Sequence, residues 1–322
     1  MGFLSHRFPR PVSSMPSSAS LAASTGRRPA LLLLSAVIVL WGLNWPVMKL
    51  GLTHMGPMTF VTWRMAMAAA CMFAFAAATG RLHWPTRRDW PIVLSVGLFQ
   101  MGGFMTLCTF GLQYVEASRS SILAYTTPLW VVPGAILLFG EKVAGWRLIG
   151  VLIGLAGVAV MFNPVAIDWG SRDTLIGNGA LMLGALLWAG QILQIRGHRW
   201  DSPPLELVGW QLLVATLMVL PIALLTEAGR PVDWGWELTA ILVYNGPIAT
   251  AFCFFAVITL NRALPAVTTS LGMLGVPAAG LVFSALMLGE PINATKGAGL
   301  ALIACGLAFV ALADRQAARA AS

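Results

Sequence analysis

The stretch Trp41-Gly42-Leu43-Asn44-Trp45-Pro46-Val47-Met48-Lys49 lies inside an apolar run that begins at Leu31. Pro46 removes one helical hydrogen bond, and Asn44 must find a hydrogen-bond partner in a medium without water. The stretch therefore predicts a membrane helix that is interrupted.

The same stretch returns in altered form 147 residues later. The pairs that keep this spacing are Trp41/Trp188, Asn44/Gln191, Lys49/Arg196, Pro57/Pro204 and Trp63/Trp210. In the later part of each half the spacing becomes 149 and joins Pro128/Pro277, Gly140-Glu141/Gly289-Glu290, Gly150/Gly299 and Gly157/Gly306. Matches at fixed spacing over so many positions indicate that one half of the chain is a copy of the other.

The composition is that of an integral membrane protein. Charged residues make up 10% of the chain and hydrophobic residues 58%, with a mean hydropathy of +0.79, whereas soluble domains contain roughly 25% charged residues. Thirteen tryptophans fit a chain with many boundaries between water and lipid. The four cysteines lie in apolar segments without metal-ligand spacing, so we expect neither disulfides, nor a metal site, nor a cofactor.

Ten segments of about 20 residues are each long enough to cross about 30 Å of hydrocarbon. The predicted spans are 31–50, 58–79, 90–112, 118–139, 145–163, 177–197, 205–226, 237–260, 267–288 and 295–313. Five fall in each half, and an odd number per repeat forces the second copy to insert upside down relative to the first. The expected fold is thus an all-α integral membrane protein with ten transmembrane helices in two inverted five-helix repeats.

The predicted domain order follows from these spans. A disordered cytoplasmic tail is expected at 1–29, a first five-helix repeat at 30–163, an outer linker at 164–176, a second repeat at 177–313 and a cytoplasmic tail at 314–322. A secretory signal peptide is the alternative for the run at 31–40, but that run belongs to a segment that is duplicated.

The basic residues favour one orientation in the membrane. With the N-terminus inside, 14 of the 20 lysines and arginines lie on the cytoplasmic side, 5 lie outside, and Arg64 lies within a helix. Because short cytoplasmic loops are enriched in such residues, both termini are predicted to be cytoplasmic and the protein to reside in a bacterial inner (plasma) membrane. We expect membrane lipid and a small-molecule substrate as partners, and no nucleic acid.

The W-G-x-N-x-P-x-x-K pattern from Trp41 to Lys49 resembles the EamA family of the drug/metabolite transporter superfamily. The resemblance extends over about residues 31–313 and includes Pro57, Phe60, Arg64, Pro128 and the two Gly-Glu pairs. It implies ten helices in two inverted five-helix repeats, a central substrate cavity, and export of amino acids, metabolites or drugs. Leu193 stands where the first copy has Pro46, so the first and sixth helices need not bend alike.

Polar side chains inside the apolar segments are the candidate substrate contacts, because such groups cost free energy in lipid unless they are paired or line a wet cavity. Trp41 and Trp188 lie about one turn from Asn44 and Gln191 and share a face with them. The predicted substrate-binding residues are Trp41, Asn44, Gln100, Tyr125, Trp188, Gln191, Gln211, Tyr244 and Asn245. A cavity of indoles and amides suits a zwitterion or a mixed polar and apolar molecule. The alternative is that these groups join helices by mutual hydrogen bonds.

Arg64 is the only charge well inside a predicted helix. It is either an anion contact, where its planar fork binds a carboxylate or phosphate, or a side chain that reaches the outer headgroups or a loop acid. The second interpretation is the simpler one. Glu141 and Glu290 end the fourth and ninth helices, and their symmetry favours structural turns over a proton relay.

Helix bends are expected at Pro46, Pro128 and Pro277. Glycines in the fifth and tenth helices are expected to allow close helix packing. Whether these surfaces also form a homodimer stays open at this stage.

These observations predict a secondary transporter, an exporter of small metabolites such as amino acids that works by alternating access. No acid or histidine lies at membrane depth, so facilitated diffusion or exchange is favoured over proton coupling. No Walker, GxSxG or HExxH sequence is present, so an enzyme is not expected. A membrane scaffold or regulator without flux is the alternative, and an intramembrane lipid-modifying enzyme is a weaker one.

Overall fold

The computed structural model describes residues 27–139, 145–162, 171–198, 201–263, 272–273 and 275–320. Within these ranges the regular structure is helical throughout. The helices are α1 (Arg27–His54), α2 (Pro57–Ala78), α3 (Trp90–Gly111), α4 (Ala117–Ala124 and Thr127–Phe139), α5 (Gly145–Phe162), α6 (Arg172–Gly197), α7 (Pro204–Thr226), α8 (Trp236–Val243, Tyr244–Phe252 and Cys253–Ala263), α9 (Gly275–Leu288) and α10 (Ala294–Ala320).

Seven helices in the described part of the chain are long and apolar enough to cross a membrane, namely α1 to α4 and α6 to α8. Three others contain shorter apolar stretches: Leu148–Val160 in α5, Gly275–Leu288 in α9 and Ala294–Val310 in α10. The protein is therefore a multi-pass membrane protein, and the predicted count of ten spans stays a prediction.

The helix boundaries follow the hydropathy of the sequence closely, with two differences. α6 already begins at Arg172, because Ser171 accepts a hydrogen bond from the Thr174 N–H at 3.3 Å and caps this end. α10 continues as a helix through the predicted tail to Ala320. The tail at 1–26, most of the linker at 164–176 and the Gly140-Glu141 pair lie outside the described residues.

The predicted interruption of the first helix is wrong, since α1 runs unbroken through Pro46. A proline ring crowds the carbonyl four residues earlier, here that of Gly42, whose missing side chain leaves room for Ala279 of α9. Pro128 and Pro277 lie in the first turns of their helical segments, where proline is tolerated. A bend at any of these prolines stays a prediction.

In the described part of the chain α4 is interrupted at Tyr125 and Thr126, and α3 and α8 each contain a π-helical segment. These segments are Val96–Gly103 and Tyr244–Phe252, and they occupy corresponding positions in the two halves. π-helical turns are rare and often occur at functional sites. The sequence gives no direct signal for them.

Gly97 and Gly246 explain why these segments can pack so closely. A side chain at Gly97 would place its Cβ 2.7 Å from the Gln211 carbonyl oxygen of α7. A side chain at Gly246 would place its Cβ 2.7 Å from Met67 Cβ and 3.2 Å from the Arg64 carbonyl oxygen of α2. Gln211 and Arg64 are separated by the repeat spacing of 147, so the same contact is made twice.

Contacts between whole helices are repeated in the same way. α1 packs on α9, and its equivalent α6 packs on α4, the equivalent of α9. α3 packs on α6 and α7, and its equivalent α8 packs on α1 and α2. α2 packs on α7 and α5 on α10, each pair joining equivalent helices. In the last pair Gly150 meets Gly306 and Gly157 meets Gly299, so α5 and α10 run antiparallel and their glycines are used for packing within the chain.

Two carboxylates connect the end of one helix to the beginning of another. Glu227, at the end of α7, accepts hydrogen bonds from the backbone N–H groups of Met58 (3.0 Å) and Thr59 (2.9 Å) and from the Thr59 hydroxyl (2.7 Å). Glu290 accepts from the N–H groups of Ala117 (2.6 Å) and Ser118 (2.9 Å) at the start of α4. Because a helix N-terminus carries unsatisfied donors and a partial positive charge, both acids stabilise it. Glu290 thus caps the start of α4, and the choice of a structural turn over a proton relay stays a prediction.

Two further contacts hold the connection between α2 and α3 against the beginning of α7. Asp89 accepts hydrogen bonds from the hydroxyls of Ser202 (2.7 Å) and Thr86 (2.9 Å). Burial of the carboxyl opposes its ionisation, but these hydrogen bonds lower the pKa of Asp89. His83 Nε2 contacts the Glu206 carboxylate, and this hydrogen bond raises the pKa of His83.

Candidate functional site

A cavity of about 320 Å³ lies where helices of both halves meet. α1, α2, α3 and α4 contribute to its wall from the first half, and α6, α8 and Met273, just before α9, contribute from the second. Several lining residues are equivalent under the repeat: Trp41/Trp188, Trp45/Ile192, Met105/Phe254, Cys108/Val257 and Ala124/Met273. The two halves therefore build the wall from the same positions.

Aromatic contacts shape the apolar part of this wall. Trp188 packs edge-on against Phe104 with ring centroids 4.5 Å apart, and Trp41 packs edge-on against Phe254 at 6.2 Å. Such edge-to-face pairs contribute about 0.5–1.5 kcal/mol beyond the area they bury. The rings are thus held in fixed orientations around the cavity.

The π segment of α8 forms hydrogen bonds with α1 and α2 beside the cavity. Trp41 Nε1 donates to the Ala249 carbonyl at 2.8 Å, and the Tyr244 hydroxyl donates to the Leu40 carbonyl. The Thr250 hydroxyl donates to the Asn245 carbonyl at 2.7 Å and accepts from Arg64 Nε at 2.8 Å. This segment therefore positions residues of α1 and α2 without itself supplying most of the wall.

Arg64 lines the cavity and is only 2% exposed. Besides Thr250, its hydrogen-bond partner is Met48 Sδ, 3.0 Å from Arg64 Nη1. The interpretation that Arg64 reaches the headgroups or a loop acid is wrong, because its side chain is buried and its hydrogen bonds go to Thr250 and Met48. Within the described part of the chain no carboxylate lies within ion-pair distance of this guanidinium.

Asn44 is the second polar group of the cavity wall. Its Nδ2 donates to Met48 Sδ at 3.0 Å, and its Oδ1 is buried without a hydrogen-bond partner. An unpartnered buried oxygen is costly unless a ligand or water supplies a donor. Asn44 thus adds a neutral amide to the cavity wall, with its nitrogen bonded to Met48.

The structure brings together only part of the predicted substrate-binding set. Trp41, Asn44, Tyr125 and Trp188 line the cavity, together with Arg64. The residues that do not line it are Gln100, Gln191, Gln211, Tyr244 and Asn245, all of which are buried or partly buried between helices. In α6 the cavity face is occupied by Ile192, so the neighbouring amide of Gln191 points elsewhere.

Several lining residues were not predicted because they are apolar or weakly polar. They are Trp45, Met48, Phe104, Met105, Cys108, Thr127, Ile192, Phe254 and Val257. The repeat could have identified Trp45 and Ile192, since both lie one helical turn from a lining tryptophan. Thr250 was also missed, although it holds Arg64, the one charged side chain among the described lining residues.

Comparison with known sequences identifies relatives of this chain. The sequence model of the EamA-like transporter family matches residues 28–163 and 175–312. The two matches correspond to the two halves and together cover most of the chain.

Individual relatives are transporters by name. The chain is 24% identical to the uncharacterized transporter YoaV of Bacillus subtilis, over 84% of this chain and 93% of that protein. It is 27% identical to the uncharacterized transporter YvbV of the same organism, over 87% and 90%. It is 26% identical to the probable amino-acid metabolite efflux pump of Escherichia coli, over 84% and 91%. A solved crystal structure is similar with a TM-score of 0.62 and 20% identity, over 89% of this chain and 98% of that one, which shows a shared fold.

Proposed function

Because this chain belongs to the EamA-like transporter family, we propose that it is a secondary transporter that exports small metabolites, with amino acids or related amphipathic compounds as substrates. The observation that carries this proposal is the cavity between the halves, whose wall uses equivalent residues of both. A site shared by two repeats is what alternating access requires, since one repeat can rock against the other around it.

The proposed architecture is ten transmembrane helices in two inverted repeats, at 30–163 and 177–313. The antiparallel packing of α5 on α10 supports inversion, because their glycines meet in reversed order. The contacts of each helix are repeated by its equivalent in the other half, which supports a two-fold relation between the halves. We place both termini in the cytoplasm and the protein in a bacterial inner membrane, as the basic residues favour.

Trp41, Asn44, Tyr125, Trp188 and Arg64 are the proposed substrate contacts. The indoles and phenol provide apolar surface with polar edges, and Asn44 provides an unpartnered acceptor. Gln191 was predicted alongside Asn44, and it serves here as a matched comparison because it is buried outside the cavity wall.

Uniport or exchange is the proposed mode of coupling. Among the described lining residues there is no Asp, Glu or His, and proton-driven carriers usually carry a titratable group at membrane depth. Transport into proteoliposomes with an imposed pH gradient tests this directly. Accumulation of substrate driven by that gradient would contradict uniport and exchange.

A tolerance screen tests transport itself. Cells that overproduce the protein are grown with toxic concentrations of amino acids and their analogues, and are compared with cells that carry an empty vector. We expect tolerance to at least one compound, strongly reduced by Asn44→Leu and retained by Gln191→Leu at equal membrane abundance. A protein that gives no tolerance and no flux in proteoliposomes would instead be a scaffold or regulator.

A further inference from the structure

The substrate class can be narrowed from the charge balance of the cavity, and this inference rests on the proposed function. Arg64 is a cation 2% exposed, whose neighbours are a neutral hydroxyl and a thioether. A guanidinium has five N–H donors, and a thioether is a weak acceptor. Arg64 is therefore far from satisfied by its hydrogen bonds to Thr250 and Met48.

An anion is the missing partner of this group. A buried charge is costly unless it is paired, and an opposite charge is attracted strongly where water is excluded. The planar fork of arginine binds a carboxylate through two parallel hydrogen bonds. Because Arg64 lines the cavity, that carboxylate would come from the molecule that occupies it.

The cavity compensates only a single negative charge. Arg64 is the one cationic side chain among the lining residues that the structure describes. The equivalent position in the second repeat is Gln211, which is neutral and does not line the wall. A carboxylate fits this balance better than a doubly charged phosphate monoester.

The cavity offers no anion for an ammonium group. No Asp or Glu lies in the described part of its wall, and Asn44 Oδ1 is a neutral acceptor. The rest of the described wall is mostly aliphatic, sulfur-containing and aromatic, as at Ile192, Met105 and Trp188. A zwitterion that entered the cavity would lose the water around its ammonium group and gain only this surface and one amide oxygen, which disfavours its binding.

Of the amino acids and related amphipathic compounds named above, we propose that the substrate belongs to the related compounds: it is an organic monocarboxylate with an apolar or aromatic body and no free amino group. Its carboxylate binds Arg64, and its body packs against Trp188 and Phe104. Thr250 is a positioning residue that holds the guanidinium in place.

Binding to the purified protein in nanodiscs, measured by isothermal titration calorimetry, tests this. The probes are 3-phenylpropanoate, the neutral 3-phenylpropanamide and phenylalanine, which have the same phenyl body and differ in charge. We expect the propanoate to bind at least tenfold more tightly than either of the others. Equal affinity of propanoate and propanamide, tighter binding of phenylalanine, or no binding of propanoate would overturn the proposal.

Two variants assign the preference to one residue. Arg64→Gln is expected to abolish the preference for propanoate over propanamide, whereas Arg88→Gln, which removes an exposed guanidinium elsewhere, is expected to preserve it. A folded Arg64→Gln protein that keeps the preference would refute the assignment. If Arg64→Gln does not fold, the comparison of probes on the wild-type protein still decides the substrate class.

The outcome is separate from that of the transport proposal. Propanoate binding without flux in proteoliposomes would contradict transport and leave the binding site intact. Flux of amino acids without propanoate binding would leave transport intact and contradict the substrate class.

Discussion

Glu227 should contribute more to stability than any exposed acid of this protein. It is 8% exposed and supplies all the side-chain capping of α2, whose own N-cap residue, Gly56, has no side chain. Its three hydrogen bonds come from Met58 and Thr59. Glu227→Gln keeps one acceptor oxygen but turns the other into an amide that faces N–H donors, and it removes the negative charge from the helix N-terminus.

The expected cost of Glu227→Gln is about 2–4 kcal/mol. Losing one hydrogen bond to a charged group costs roughly 1.5–3 kcal/mol, and losing the favourable interaction with the helix dipole costs about 0.3–1 kcal/mol more. This is a large share of a typical stability of about 5–15 kcal/mol. Glu227→Ala should cost at least as much.

Unfolding by SDS in mixed micelles, followed by circular dichroism, measures this free energy. Glu237→Gln is the matched control, because Glu237 is 64% exposed and lies 3.7 Å from His54, and we expect it to cost under about 1 kcal/mol. Hydrogen exchange should increase selectively at the Met58 and Thr59 amides in Glu227→Gln. Equal stability of the two variants, with unchanged exchange at α2, would refute the capping argument.

Three further outcomes follow from other contacts. Thr250→Val should weaken carboxylate binding, measured by calorimetry, while Thr250→Ser should preserve it, because only serine keeps the acceptor for Arg64; equal losses in both would contradict a positioning role. Gly150→Leu should destabilise the protein by at least about 1–3 kcal/mol in the same SDS titration, because its side chain would meet the facing backbone at 2.6 Å. The hydrogen bond that His83 donates to the Glu206 carboxylate raises the pKa of His83. Its stabilising effect should therefore be complete below the ordinary histidine value of about 6.5 and lost as pH rises through the raised value; His83→Gln should remove this pH dependence, and an unchanged profile would refute it.

Most helix boundaries could be predicted because hydropathy, prolines and glycines determine where the chain leaves the apolar phase. The repeat was equally accessible, since side chains at corresponding positions keep their spacing. The site was only half predictable. Polarity indicates that Gln191 or Asn245 needs a partner, but the rotation of each helix is set by packing against its neighbours, and those neighbours are distant in sequence.

The π segments could not be predicted from the sequence for the same reason. Gly97 and Gly246 mark places where a neighbouring helix comes close, yet glycine is equally frequent in ordinary packing, as in the pair α5 and α10. The burial of Arg64 could not be predicted either, because it also depends on packing against helices that are distant in sequence. Its burial follows from α7 and α8 covering α2, which no local pattern of residues expresses.

A π turn closes its hydrogen bonds one residue further along the chain than an α turn, and each residue of an α-helix advances the side chains by about 100°. The π segment Tyr244–Phe252 contains an extra residue relative to an α-helix. If that extra residue lay after Val257 instead, the part of α8 that contains Phe254 and Val257 would rotate by about 100°, and both side chains would leave the cavity surface. Val96–Gly103 is placed to do the same to Met105. In each repeat the π segment thus determines which face of the following helix lies on the cavity.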